Sequence, residues 1–208
     1  MLDRKNLIFD LGGVLLDIEP GATLDALRAL GIGEQFLTDG LNLRNEMLLG
    51  VECGRVTIAE MYNVLAESMG VECTPHVREK IKAAWCAMLG EVAPEKLRCL
   101  RALREKGYKV FLLSNTNAVH WEVIEEKLCS VEGCQLADYF DGVYLSFEMH
   151  ACKPDVAIFE QLLAAEGIVA TDCAFFDDSR DNCAVAASLG IVSHVMERNA
   201  RLPQWLME

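Results

Sequence analysis

Five short apolar runs, at residues 7–9, 110–113, 143–145, 174–176 and 191–195, limit most tightly what this chain can fold into. Each is built largely from Val, Ile, Leu and Phe and is too short to be a buried helix. None alternates with polar residues as a half-exposed strand would, so the runs are predicted to be strands buried on both faces. Between them lie segments with helical periodicity. Residues 94–106 open with Pro94 and close at Gly107, the usual asymmetry of helix ends. Residues 117–129 repeat apolar positions at Val119, Val123, Ile124 and Leu128; residues 155–166 carry Val156, Phe159, Leu162 and Leu163 and stop at Gly167; residues 179–189 stop at Gly190. Strands alternating with helices imply a parallel sheet covered on both sides.

The stretch from Asp17 to Gly90 has a different texture, with no convincing strand. Thr57-Ile-Ala-Glu60 reads as a capping box, and Thr74-Pro75 as an N-cap followed by proline at the first helical position. Helices are expected near 22–30, 40–49, 57–69 and 75–89, with hinges at 17–21 and 90–94. The expected fold class is α/β: a doubly wound, Rossmann-like parallel sheet formed by residues 1–16 and 91–208. An all-helical cap, residues 17–90, interrupts it after its first strand.

Composition narrows the partners. A hydrophobic content of 52% over 208 residues supplies a real core, which argues against disorder. The formal charge of −13 argues against nucleic acid or an anionic membrane surface, since both reward clustered Lys and Arg. No apolar run approaches the roughly 20 residues of a membrane span. The start of the sequence does not read as a signal peptide, so the cytoplasm is the expected location. Nine cysteines, an odd number without a C-x-x-C pair, are expected to be reduced, mostly buried thiols.

Polar residues gather where the apolar runs end. Asp10 follows the first, Ser114-Asn115 the second and Asp177-Asp178 the fourth. In open parallel sheets ligands bind beyond the carboxyl ends of the strands. Any one of these aspartates could serve as an ordinary helix cap; three strands ending this way are harder to explain by capping alone. Asp10, Asp177 and Asp178 would repel one another if left bare. A hard cation with oxygen ligands relieves that repulsion, and Mg²⁺ is the usual choice beside a phosphate. Lys153, just before Pro154 and a helix, is either a solvated lysine or one aimed at the site. Gly12-Gly13 permits a tight turn and close backbone approach to a ligand.

These segments resemble the four motifs of the haloacid dehalogenase-like superfamily: Phe9-Asp10-Leu11-Gly12-Gly13-Val14-Leu15, then Leu113-Ser114-Asn115-Thr116-Asn117, then Lys153-Pro154-Asp155, then Phe176-Asp177-Asp178-Ser179-Arg180-Asp181-Asn182. Each is weak alone, and all four in order are strong. The insert is similar to the family's small helical cap. The resemblance implies a phosphatase with Asp10 as nucleophile and an aspartyl-phosphate intermediate. It implies Mg²⁺ held by Asp10, Asp178 and the carbonyl of Gly12, with Asp177 binding directly or through water. Ser114 and Lys153 would contact the phosphoryl group, Asn115 would help bind substrate, and Asn182 would support the ligands. The implied substrate is a small phosphorylated metabolite such as a sugar phosphate.

One position departs from the family pattern. Most phosphatases of this superfamily carry a second aspartate, the general acid and base, where this chain has Gly12. Its absence predicts a preference for acidic leaving groups, unless Glu148, His150 or a cap carboxylate replaces it. Two other readings stay open: cleavage of a carbon–halogen or carbon–phosphorus bond, and a catalytically weak binding protein that kept the fold. His76, His120 and His194 have no metal-like spacing and read as structural, and Trp85 and Trp121 as packing. Glu46, Glu52 and Arg55 are candidates for cap contacts with substrate.

Overall fold

The computed structural model describes residues 4–32 and 46–206. Five parallel strands form the central sheet: β1 (Asn6–Phe9), β4 (Lys109–Ser114), β5 (Gly142–Leu145), β6 (Cys173–Asp177) and β7 (Val192–Val195), in the order β5-β4-β1-β6-β7. The first strand is central. Leu7 pairs with Val110 on one side and Ala174 on the other, and Phe9 with Leu112 and Phe176.

Strand side chains alternate between faces. Leu7, Phe9, Val110, Leu112, Ala174 and Phe176 enter one apolar cluster, while Ile8, Phe111, Leu113, Cys173 and Phe175 enter the other. Every one of these residues is buried, because helices cover both faces. Helix α5 (Pro94–Glu105) and α6 (Ala118–Ser130), with the single turn α7 (Leu136–Tyr139), supply the first cluster; α9 (Val156–Glu166) and α10 (Arg180–Ser188) supply the second. The single turn α8 (Ser146–Met149) follows β5.

Between β1 and α5 the chain forms helices α1 (Pro20–Ala29), α2 (Glu46–Glu52), α3 (Ile58–Ser68) and α4 (Pro75–Trp85). They build their own apolar cluster around Leu27, Met61, Leu65, Ile81 and Trp85. The capping box is present: Thr57 Oγ1 accepts from the Glu60 amide, and Glu60 accepts from the Thr57 amide. Thr74 caps α4 as expected. Of the segment expected as a helix over 40–49, residues 40–45 lie outside the described residues.

The hinge regions correct the sequence reading. Both edges of the insert are strands: β2 (Leu16–Ile18) pairs antiparallel with β3 (Leu89–Val92). Residues expected to bend freely therefore sit in a two-stranded ribbon. Asp17 on that ribbon is tied to the buried Lys96 Nζ at 3.0 Å. No helix among the described residues is long and apolar enough to cross a membrane.

Candidate active site

Three neighbouring strands deliver the site. Asp10 leaves the end of β1 with its amide donating to the Phe176 carbonyl at 2.8 Å, Ser114 ends β4, and Asp177 ends β6. The sheet register thus brings together residues separated by more than 160 positions in sequence. Lys153 reaches in from the loop before α9, across a cis peptide bond to Pro154. Its buried ammonium donates to Asp10 Oδ1 at 2.6 Å, to Asp177 Oδ2 at 2.8 Å and to the Leu113 carbonyl at 2.8 Å. Three acceptors match its three donors.

Electrostatics follow from this burial. Desolvation pushes Asp10 from an ordinary value of 3.8 to about 7; Lys153 opposes the shift and Asp177 adds to it. Burial disfavours the Lys153 ammonium, yet Asp10 and Asp177 outweigh it and hold the lysine above its usual range. Asp177 is saturated. Its Oδ1 accepts from the Ser179 amide at 2.7 Å and from Asn182 Nδ2, and its Oδ2 accepts from Lys153 and from Asn182 Nδ2 at 3.0 Å. Asp178 is half-buried and accepts from Arg198 Nε at 2.5 Å. One oxygen from each of Asp10, Asp177 and Asp178 can be chosen so that all lie within 4.8 Å of one another. This is an all-oxygen anionic donor set of the kind that suits a hard divalent cation.

Backbone approaches the cluster where side chains could not. Gly13 has φ +81°, and a Cβ there would stand 2.7 Å from Asp178 Oδ2. Beside the cluster opens a cavity of about 420 Å³, within the usual range for a small-molecule site. Gly12, Ser114 and Asn115 form part of its core wall, and Glu52, Trp85 and Met88 face them from the insert.

A family model for haloacid dehalogenase-like hydrolases matches residues 5–190. The chain belongs to that family. Among similar proteins is a D-ribitol-5-phosphate phosphatase from Bacteroides thetaiotaomicron, 31% identical over 94% of this chain and 93% of that one. A crystal structure of a family enzyme from the same organism, in complex with magnesium and inorganic phosphate, superposes with a TM-score of 0.86 at 34% identity. It covers 97% of this chain and 98% of that one. A predicted hydrolase of the family from Porphyromonas gingivalis gives 0.83 at 29% identity, over 95% and 93% of the two chains.

Within this haloacid dehalogenase-like hydrolase, the residues singled out from sequence do not all stand alike. Asp10, Lys153, Asp177 and Asp178 converge, and Gly12, Ser114 and Asn115 line the cavity beside them. The Asn115 amide is engaged with the lysine backbone: Nδ2 donates to the Lys153 carbonyl and Oδ1 accepts from the Lys153 amide, both at 2.8 Å. These bonds fix where the lysine stands. Glu148, His150 and Arg55 are exposed and do not line the cavity; the Glu46 side chain lies outside the described residues.

His120 is a structural histidine that also lines the cavity. It stacks on Trp85 at 5.3 Å and its Nε2 meets the Trp85 carbonyl at 3.0 Å. Desolvation lowers it to about 4, so the ring is neutral near pH 7. Glu52 is the feature sequence reasoning underrated. It ends α2, faces the cavity, and burial raises it from 4.5 to about 7.

The cysteines require a correction. Cys53 and Cys152, expected as free thiols, form a disulfide across a sequence separation of 99 residues, with Cα atoms 5.5 Å apart. Nothing local announces the pair, because only docking of the insert on the core brings the two together. The other seven cysteines are free.

Proposed function

We propose that this chain is a magnesium-dependent phosphatase acting on a phosphorylated polyol or sugar through an aspartyl-phosphate on Asp10. The observation that carries the reading is the buried Asp10–Lys153–Asp177 cluster, with Asp178 beside it, next to a cavity of about 420 Å³ lined by the neighbouring Leu11, Gly12, Ser114 and Asn115. Asp10 Oδ2 would attack phosphorus while Oδ1 stays bonded to Lys153. Lys153 neutralises charge on the transferring group, and the Ser114 hydroxyl donates to a phosphoryl oxygen. Asp10, Asp178 and the Gly12 carbonyl are the proposed ligands of Mg²⁺, with Asp177 contributing through water because both its oxygens are already engaged. Bound Mg²⁺ supplies charge neutralisation at the phosphoryl oxygens.

Residues 17–90 are proposed as the cap that selects the substrate, since they supply the cavity wall opposite the strand ends. The related ribitol-phosphate enzyme makes five-carbon polyol phosphates the first compounds to assay. Seven free cysteines support the cytoplasm as the proposed location, whereas the Cys53–Cys152 disulfide is of a kind rare in a reducing compartment.

Assay of D-ribitol 5-phosphate against a panel of sugar and polyol phosphates, with and without Mg²⁺, tests the reading. Turnover is expected only with the metal, and full activity in excess chelator would refute it. The Asn182 side chain donates to both oxygens of Asp177, so Asn182→Ala should weaken Mg²⁺ binding by no more than the roughly 10–100-fold typical of residues behind a ligand. Asp178→Ala should weaken it further, and calorimetric titration with Mg²⁺ compares the two.

A further inference from the structure

A primary-alkyl phosphate poses a problem for this site. Its leaving oxygen departs as a strongly basic alkoxide and needs a proton as the P–O bond breaks. Gly12 stands where most phosphatases of the family carry the aspartate that donates it. The donor must come from another residue on the cavity wall.

The lining offers few candidates. Among the described residues that line the cavity, the ionisable groups are Glu52, His120 and Arg198. His120 is neutral near pH 7, and its Nε2 is engaged with the Trp85 carbonyl. Arg198 is engaged with Asp178. Lys153, behind the wall, has all three donors committed.

Glu52 remains, and the fold takes trouble to hold it there. Its backbone carbonyl accepts from Ser146 Oγ at 2.6 Å, and that same hydroxyl oxygen accepts from the Thr116 amide at 2.9 Å. One side chain thus joins the end of α2 to the loop after Ser114. Two residues on, Gly54 has φ +65°, and a Cβ there would collide with the Phe147 carbonyl at 2.1 Å, so the insert sits directly against α8. Cys53 is tied to Cys152, the neighbour of Lys153. Three attachments around one residue fix the backbone of Glu52 at a cavity that Gly12 also lines.

We propose that Glu52 is the general acid and base of this phosphatase, replacing from the cap the aspartate absent at Gly12. The inference rests on the phosphatase reading above. In the first half-reaction Asp10 Oδ2 bonds to phosphorus, the P–O bond to the alcohol breaks, and the Glu52 carboxyl gives its proton to the departing oxygen. In the second, the Glu52 carboxylate takes one proton from water as the water oxygen bonds to phosphorus. The bond from phosphorus to Asp10 breaks, hydrogen phosphate leaves, and Glu52 is protonated again. Burial supports the assignment by bringing the carboxyl to about 7, where both of its forms are populated. Desolvation is the cause, although charged groups stand on the elements packed against α2: Glu60 and Glu67 on α3 and Glu148 on α8 are exposed, as is His150 just after α8.

The test compares Glu52→Gln with wild type on a primary-alkyl phosphate and on 4-nitrophenyl phosphate, whose leaving oxygen needs no proton. The quantity to read is kcat/KM, because it reports only through phosphoryl transfer to Asp10. For the alkyl ester it should fall about 10²–10⁴-fold, and for the aryl ester by less than about tenfold. The variant should also release a burst of nitrophenolate as phosphorylated Asp10 accumulates for want of a base. The alkaline limb of the wild-type pH profile for the alkyl ester, near pH 7, should vanish. A Cβ at Gly12 would meet only the Ile18 side chain, at 3.5 and 3.6 Å, so Gly12→Asp in the Glu52→Gln background should restore part of the alkyl activity. Equal losses on the two esters, or no loss on either, would overturn the role of Glu52. A wild type inactive on both esters with Mg²⁺ present would instead overturn the phosphatase reading itself.

Discussion

Asp10→Asn is expected to abolish turnover while leaving the protein folded and no less stable. The loss in kcat should exceed about 10³-fold, because an amide oxygen cannot form the phosphoryl intermediate. The stability half follows from the direction of the Asp10 shift. Its folded value is raised from 3.8 to about 7, chiefly by desolvation. Between those values the folded protein holds a proton that the unfolded chain has released. Stability therefore falls as pH rises through that window, and at pH 8 the ionised carboxylate is a net cost in metal-free protein. Asparagine removes the charge and keeps the shape, so thermal melts at pH 8 in chelator should show a Tm equal to or above wild type. Phosphatase activity within tenfold of wild type would sink the nucleophile assignment. A lowered Tm would show that the Lys153 contact outweighs desolvation.

The core was legible because burial on both faces writes itself as continuous apolar sequence. Runs such as 174–176 have no polar residue until the chain emerges at the end of the sheet, so the first polar side chain marks where the strand ends. Asp10, Ser114 and Asp177 stand at such ends. The ribbon was not. Leu16–Ile18 and Leu89–Val92 are three and four residues long, include Asp17, Gly90 and Glu91, and pair across the whole insert. Neither has enough alternation to separate it from a loop.

The insert was legible as helices and opaque as chemistry. Its caps are local and the sequence carries them: Thr57 and Glu60 lie three positions apart. Glu52 and Arg55 lie equally close together, yet one lines the cavity and the other faces water. What separates them is the docking of α2 through Ser146 and Gly54, which depends on residues nearly 100 positions away. The same docking makes the Cys53–Cys152 pair invisible beforehand. Asn115 teaches a related point. Its place after a strand suggested a ligand contact, and its hydrogen bonds show it holding Lys153 in register with Asp10.

Lys153→Met should injure both stability and turnover, and the two effects can be separated. The ammonium is buried among Asp10, Asp177 and the Leu113 carbonyl. Methionine matches the stem in volume but supplies no charge and no donor. Removing one partner of a buried ionic cluster typically costs about 3–5 kcal/mol, because the remaining charges stay desolvated. Most of that cost belongs to Asp177, which has no solvent exposure, whereas Asp10 already tends toward its neutral form. Adding Asp10→Asn to Lys153→Met should recover little stability, while Asp177→Asn should recover a larger share. A denaturant series on the three variants measures this directly. Turnover should fall by at least the 10²–10³-fold typical of losing one preorganised electrostatic contact to a developing charge. Asp177→Asn, added to recover the fold, should not recover turnover, since the charge that faced the phosphoryl group is still missing. A Lys153→Met protein that is as stable as wild type would mean the cluster is solvated in solution. One that is unstable yet fully active, after correction for the folded fraction, would remove Lys153 from the chemistry and leave it a structural residue.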